Sequence, residues 1–231
     1  MGEHNQKRLI RKIDLERFLS KLKAHPSPKA SLEQYTTPEA VAATVLYIAA
    51  YTFGDITGKT VLDLGCGTGR LSIGAAFLGA KSVVGVDIDK AAIDVAIQNT
   101  KNANLNADVN WLIGDVDAVA GKFDTVVENP PFGVQRHAAD RRFLAKAIEV
   151  GATVYSLHNH PSTRRSALNK LKANSSTQEE HSPFIQRFVE EQGGKVEAVF
   201  TMPFVIPHMF AFHTKEKHEI FIDLYVIRKV Y

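Results

Sequence analysis

Asn129-Pro130-Pro131-Phe132 follows the apolar run Phe123, Thr125, Val126 and Val127, about sixty residues after the glycine loop Asp63-Leu64-Gly65-Cys66-Gly67-Thr68-Gly69. An amide oxygen and a backbone carbonyl on a proline-stiffened turn can accept both hydrogens of a planar NH2. Such a nitrogen is a poor nucleophile because its lone pair is delocalised, and holding both N–H bonds aims that lone pair. An in-line displacement needs this kind of help, since positioning and electrostatics matter more there than acid or base catalysis. Phe132 offers a ring on which a flat base could stack, worth roughly 1 to 3 kcal/mol, once the base has been unstacked from its helix. The glycine loop lets a ligand approach the backbone closely. Together the two elements point to methyl transfer onto a planar nitrogen with S-adenosylmethionine as donor; neither would do so alone.

Within the loop, Gly65-x-Gly67-x-Gly69 lacks the glycine that a dinucleotide fingerprint places three residues after its second, because Arg70 stands there. Nicotinamide binding is therefore disfavoured. Asp87 closes the next expected strand about twenty residues on, where a carboxylate can accept two ribose hydroxyls. Asp115, in Gly114-Asp115-Val116 after the third expected strand, is placed to accept an adenine amino group. Asp63, inside the first strand, either braces the loop or lies near the positive sulfonium.

These residues need a frame of strand ends. From Lys59 onward, strands and helices alternate in the pattern of a parallel sheet covered on both faces. Strands are expected at 60–64, 82–86, 109–113, 123–127 and 153–157, with helices at 70–78, 90–102 (capped by Asp89) and 138–150. The segment 162–193 is polar and reads as two helical pieces. The final stretches, 195–205 and 218–230, have too little between them for a crossover helix and should pair antiparallel. The fold class is α/β: a Rossmann-like class I S-adenosylmethionine-dependent methyltransferase, with a seven-stranded, mostly parallel sheet and an antiparallel last strand. Upstream, an amphipathic helix carries Leu9, Ile10, Ile13, Leu19 and Leu22 on one stripe and ends before His25-Pro26-Ser27-Pro28. Thr37 can cap, and Pro38 can start, a helix running to about Thr52.

At 231 residues and 45% hydrophobic content, the chain can bury one substantial core. The organisation expected is a basic helix and linker over 1–30 and a catalytic domain over 31–231. Cys66 is the single cysteine, which excludes disulfides and cysteine-built zinc sites. No bilayer-length apolar run or signal-peptide core is present, so a cytoplasmic location is expected. The net charge of +3 divides unevenly: residues 1–30 carry +5, residues 31–130 carry −6 and residues 131–231 carry +4. Basic ends flanking an acidic middle suit a protein that grips a polyanion by its edges, although charge alone fits solvated helix faces as well.

Several longer stretches add specificity: Leu32-Glu33-Gln34-Tyr35, Asp63 to Gly69, Leu71-Ser72-Ile73-Gly74, Val86-Asp87-Ile88-Asp89, Asn129 to Gly133, Val154-Tyr155-Ser156-Leu157-His158 and Phe212-His213-Thr214-Lys215. Across most of its length the chain resembles the archaeal and eukaryotic ribosomal RNA adenine-N6 methyltransferases typified by the human methyltransferase-like protein five. The resemblance implies cofactor contacts from Gln34, Tyr35, Thr37, Asp63, Gly65, Gly67, Thr68, Gly69, Arg70, Asp87, Ile88, Asp115 and Val116, with S-adenosyl-L-homocysteine as product. It implies that Asn129, Pro130, Pro131 and Phe132 hold adenine, in ribosomal RNA and specifically in small-subunit RNA. RNA contacts are expected from Phe132, His213, Lys215 and Lys217. Phe204, Pro207, Phe210 and Phe212 interleave with these basic groups as a single-strand platform would, or are alternating core residues. Eukaryotic relatives bind a small zinc-containing activator protein. The third strand, 109–113, should lie at a sheet edge, where such a partner could add a strand unless a loop or the N-terminal helix covers it.

Two rivals remain at this level: a release-factor glutamine-N5 methyltransferase, whose carboxamide substrate presents the same planar NH2, and a noncatalytic RNA-binding scaffold that keeps the fold. His158, His160, His208, His213 and His218 lack metal-ligand spacing and are expected to be structural or to face RNA.

Overall fold

Seven strands form one sheet in the order β3-β2-β1-β4-β5-β7-β6 in the computed structural model, which describes residues 9–29, 32–34, 36–132, 139–161, 182–207 and 217–230. The strands are β1 (Thr60–Leu64), β2 (Ser82–Asp87), β3 (Val109–Ile113), β4 (Phe123–Glu128), β5 (Gly151–Asn159), β6 (Gly194–Pro207) and β7 (Lys217–Lys229). The first five run parallel, and β7 inserts antiparallel between β5 and β6. The helices are α1 (Lys12–Leu19), α2 (Glu39–Tyr47, continuing as a π turn over Ile48–Thr52), α3 (Arg70–Phe77), α4 (Lys90–Ala103), α5 (Ala139–Val150) and α6 (Pro183–Glu191).

Alternation along the central strands divides the interior in two. Val127 and Tyr155 face a cluster with α1, α2 and α3, whereas their neighbours Val126 and Val154 face one with α5 and α6. Burial on both faces explains why these strands are continuous apolar runs rather than alternating ones. Gly74 permits the close approach of helices on the first face, since a Cβ there would lie 2.3 Å from Leu46 Cδ1 and 3.2 Å from Leu19 Cδ2. Phe18 of α1 stacks on Phe77 of α3 with ring centroids 4.1 Å apart.

Two local expectations are corrected. The buried stripe of α1 consists of Leu15 and Leu19, joined by Leu22, while Leu9 and Ile13 are exposed. Leu9 lies before the helix begins, so helical spacing does not apply to it. Thr37 does not cap α2: Pro38 is the N-cap residue and no side-chain cap bond forms. The Thr37 hydroxyl is engaged elsewhere, by Asn129. Asp89 does cap α4, accepting from the Ala91 N–H at 3.2 Å.

In the 162–193 segment only α6 falls among the described residues; the expected piece over 162–181 lies outside them. β3 is an edge strand, with Leu112 and Ile113 exposed. The N-terminal helix does not cover it, because α1 packs on α2 and α3.

Candidate active site

Three successive strand ends build the site. After β1 the chain turns across β2, with the Gly65 and Cys66 N–H groups donating to the Val86 carbonyl at 2.8 and 3.0 Å. Gly69 requires its residue type twice over: its φ is +83°, and a Cβ would lie 2.4 Å from the Trp111 ring. Gly67, also left-handed at φ +53°, faces open space instead, with nothing within 4 Å of a Cβ. Its N–H donates to Asp87 Oδ2 at 2.8 Å, and the Asp89 N–H donates to Oδ1 at 2.8 Å. Burial pushes the Asp87 carboxyl up, opposed by these two N–H groups.

Asp63 performs the bracing role. It accepts from the Ser72 N–H at 2.9 Å and from the Ser72 hydroxyl at 2.5 Å, which ties β1 to α3. Burial raises its pKa to about 7, with the Ser72 bonds opposing and Asp87 adding to the rise. It also lines the cavity, so bracing does not withdraw it from the site.

The segment before α2 folds across this floor. Asp89 is held by Gln34 Nε2 at 2.8 Å, His25 Nε2 at 3.2 Å and Lys29 Nζ at 3.3 Å. Burial of Asp89 disfavours its charge, but the Gln34, Ala91 and Lys29 bonds prevail and bring its pKa down to about 2. Asn99 of α4 grips the same segment, accepting from the Lys23 N–H at 2.8 Å and donating to the Lys23 and Thr68 carbonyls at 3.0 Å each. Arg70 Nη1 donates to the Thr37 carbonyl at 2.6 Å.

The cavity so enclosed has a volume of about 370 Å3. Gln34, Thr37, Asp63, Gly65, Gly67, Thr68, Arg70, Asp87, Ile88, Asp115 and Val116 line it, as do Asn129 and Pro131 of the proline turn. Gly69 does not; its place is against Trp111. Tyr35, His213 and Lys215 lie outside the described residues, and of Lys217 only the backbone, in β7, is described. Asp115 is less free than its sequence position suggests, because Oδ1 accepts from the Asp117 N–H at 2.9 Å and pairs with Arg142 Nη2. Bonding to Arg142 lowers its pKa. His25, Arg142 and Phe143 also line the cavity. His25 and Ser72 lie in stretches that the sequence singled out, but local pattern does not show their bonds to Asp89 and Asp63. Arg142, Phe143 and Asn99 lie within helices whose spacing marks only the elements.

At the end of β4, Asn129 donates from Nδ2 to Thr37 Oγ1 at 2.9 Å. Its Oδ1 is buried with no hydrogen-bond partner among the described residues. Leaving an acceptor in that state costs about 1 to 3 kcal/mol, so the geometry favours an incoming donor. Phe132 turns away from the first cavity, edge-on to Phe204 with centroids 6.0 Å apart, and lines a second cavity of about 160 Å3 with Asp140, His158, Asn159 and Ser182. The turn thus contributes to both cavities. Phe204 is buried, which removes it from the expected aromatic platform; Phe210 and Phe212 fall outside the described residues.

Beneath the turn, Ser156 Oγ donates to Glu128 Oε1 at 2.6 Å and lies 2.8 Å from His158 Nε2. Burial raises the Glu128 pKa to about 8 and lowers that of His158 to about 4, so both are neutral near pH 7. His160 is buried against Asp223 at 2.9 Å, so neither of these histidines faces solvent. No helix among the described residues is long and apolar enough to cross a membrane.

The residues present fit S-adenosylmethionine. An open glycine floor, the acidic residues Asp63 and Asp87, an apolar shelf at Ile88 and Val116, and Asn129, whose amide oxygen has no partner among the described residues, line one cavity. Comparison with known proteins agrees. The family profile described as "Ribosomal protein L11 methyltransferase (PrmA)" matches residues 41–130, the cofactor half. A magnesium protoporphyrin IX methyltransferase from Synechocystis, solved with bound S-adenosylhomocysteine, shares the fold at a TM-score of 0.56 and 21% identity, over 81% of this chain and 83% of that one. A crystal structure of a candidate RNA methyltransferase, PH1948 from Pyrococcus horikoshii, superposes with a TM-score of 0.80 and 41% identity, covering 96% of this chain and 100% of that one. The rRNA N(6)-adenosine-methyltransferase METTL5 of Danio rerio is 38% identical over 217 residues, which is 91% of this chain and 95% of its own. The similarity runs well past the cofactor half, through the proline turn and into the closing strands, and the chain belongs to the METTL5 family of rRNA N(6)-adenosine-methyltransferases.

Proposed function

We propose that this protein transfers a methyl group from S-adenosylmethionine to the exocyclic N6 of an adenine in ribosomal RNA, with small-subunit RNA as the specific substrate. The observation that carries this reading is that Asn129 lines the 370 Å3 cavity while its buried Oδ1 has no hydrogen-bond partner among the described residues. Bound there, S-adenosylmethionine supplies an electrophilic methyl carbon on a positively charged sulfur. Gly65, Gly67 and Thr68 form the backbone floor, Asp87 accepts the ribose hydroxyls, and Ile88, Asp115 and Val116 take the cofactor's adenine. Gln34 and Arg70 fasten the wall. Asn129 Oδ1 and the Pro130 carbonyl accept the two N–H bonds of the substrate amine, which turns its lone pair toward the methyl carbon. The bound donor would supply the methyl carbon, its bond to sulfur breaking as the bond to the amine nitrogen forms, and the nitrogen held by Asn129 and Pro130 would release its proton to solvent. The second cavity, with Phe132 on its wall, admits the target base.

The basic segment 1–30 and the 31–231 remainder are proposed as RNA-gripping and catalytic parts, with His213, Lys215 and Lys217 on the RNA side. The exposed edge of β3, where Leu112 and Ile113 show apolar side chains, suits strand addition by a small zinc-containing activator, and the proposed site of action on ribosomal RNA is the cytoplasm.

The test is to incubate the purified protein with labelled S-adenosylmethionine and either ribosomal RNA or a release factor, and to identify the product by mass spectrometry. N6-methyladenosine is expected. Methylglutamine with unmodified RNA would replace this reading with the glutamine-N5 one, and no product, with or without added activator, would favour the scaffold.

A further inference from the structure

Ile185 and Val189, one turn apart, set the face that α6 buries against the core. Phe184 and Phe188 follow the same spacing one position earlier, with rings within 21° of parallel and centroids 6.3 Å apart, but only Phe188 is half-buried. Phe184 is 47% exposed, the one Phe, Tyr or Trp ring in that state among the described residues. A guanidinium lies against it: Arg141 of α5 places Cζ 4.5 Å from the ring centroid. The next residue, Arg142, pairs with Asp115 and Asp117, whereas Arg141 has no ion pair among the described residues, and its charge stays available. Arg187, three residues after Phe184 on the same flank of α6, is likewise exposed and without an ion pair among the described residues.

Phe184 also lines the second cavity, together with Phe132 of the proline turn and Asp140. We propose that Phe184, Arg141 and Arg187 form a subsite for the nucleotide next to the target adenine, its base stacked on the ring and guanidinium and its phosphates met by the two arginines. This rests on the reading of the second cavity as the seat of the target base. A base taken out of its stack leaves neighbours with bare faces, and an aromatic ring beside the cavity gives one of them a new surface. A ring set among positive charges is the chemistry of a single-stranded nucleic acid. A docking polypeptide would call for a contiguous apolar patch, and Phe184 is instead flanked by Arg141, Gln186 and Arg187, all exposed. Asp140, on the cavity wall itself, repels phosphate and keeps the sugar–phosphate chain outside, where the arginines stand.

The probe is a short single-stranded RNA carrying the adenine that the wild-type protein methylates in ribosomal RNA, with affinity read by fluorescence anisotropy. Phe184→Leu, which keeps apolar bulk and loses the ring face, should weaken binding about tenfold, within the range that one stacked base supplies. Phe184→Trp should bind as tightly as the wild type. Two further probes place an abasic site on one side or the other of the target; one of them should weaken wild-type binding by a similar factor, and against it Phe184→Leu should cost nothing more. Arg141→Gln and Arg187→Gln should each reduce the slope of log Kd against log salt by about 0.7, one phosphate contact on a single strand. S-adenosylmethionine affinity by calorimetry reports folding of the variants, because none of the three residues lines the cofactor cavity. The abasic probes need only the wild-type protein and decide the matter if a variant fails to fold. Wild-type RNA affinity in Phe184→Leu, a loss in that variant that persists with both abasic probes, no loss in the wild type with either of them, or unchanged salt slopes would overturn the subsite. No N6-methyladenosine in ribosomal RNA treated with the wild-type protein would instead remove the reading on which it rests.

Discussion

Asn129→Ala separates a residue kept for chemistry from one kept for stability, because the structure pairs little or no loss of stability with a large loss of rate. On the stability side, truncation removes one hydrogen bond, Nδ2 to Thr37 Oγ1 at 2.9 Å, worth about 0.5 to 1.5 kcal/mol. It also removes the buried Oδ1, an acceptor without a partner among the described residues, whose desolvation costs about 1 to 3 kcal/mol. The balance lies between a loss of about 0.5 kcal/mol and a gain of about 2.5 kcal/mol. For a chain of 231 residues, each kcal/mol shifts Tm by roughly 2 to 4 °C, so the variant should melt within a few degrees of wild type or above it. On the chemical side, an acceptor facing an amine that gains positive charge during transfer is worth about 1.5 to 3 kcal/mol, equivalent to roughly 10- to 150-fold in rate. Single-turnover methyl transfer to ribosomal RNA, measured beside thermal unfolding, tests both. A variant that melts some 10 °C lower would show that the side chain holds the structure together, and one that methylates at the wild-type rate would show that its oxygen faces nothing that reacts.

Glu128→Gln should stabilise the protein in alkaline solution only. A carboxyl whose folded pKa is about 8, raised above its unfolded value of about 4.5, contributes its full stability below pH 4.5 and loses it as pH rises toward 8. Denaturation midpoints from pH 5 to 9 should therefore fall less steeply in the variant, and parallel curves would refute the buried neutral carboxyl. His158 has the opposite sign, since its pKa is depressed to about 4: its contribution is complete above pH 6.5 and fades as pH falls to 4, so His158→Gln should flatten that limb. Gly69→Ala should lower Tm by several degrees, because an added Cβ meets Trp111 at 2.4 Å in a left-handed backbone; an unchanged Tm would mean the ring moves aside freely. Leu112→Asp, on an exposed edge position paired with Val86 rather than with Asp87, should alter stability by less than about 0.5 kcal/mol yet abolish co-purification of any strand-adding activator, and undiminished recovery would place the partner elsewhere.

Much of the molecule was legible in its residue order. The glycine loop, the acidic residues at successive strand ends and the proline turn are local signals, each fixed by a backbone conformation or by the end of an apolar run, and the cavity collects nearly all of them. Strand and helix periodicity also revealed the sheet, since burial on both faces writes itself as continuous apolar segments. The rest depended on contacts between residues distant in sequence, for which local pattern carries no information. Thr37 reads as a helix cap next to Pro38, yet its hydroxyl is claimed by an amide 92 residues away. Phe132 reads as a stacking platform, yet its ring rests edge-on against Phe204. Asn99 reads as one more polar residue of an alanine-rich helix, and only folding makes it the clasp of the N-terminal segment. The sequence by itself determined which chemical groups are present and which strand ends carry them; the tertiary structure alone decided that the Asn129 amide meets the Thr37 hydroxyl, because that hydrogen bond joins two segments that come together only when the sheet is assembled.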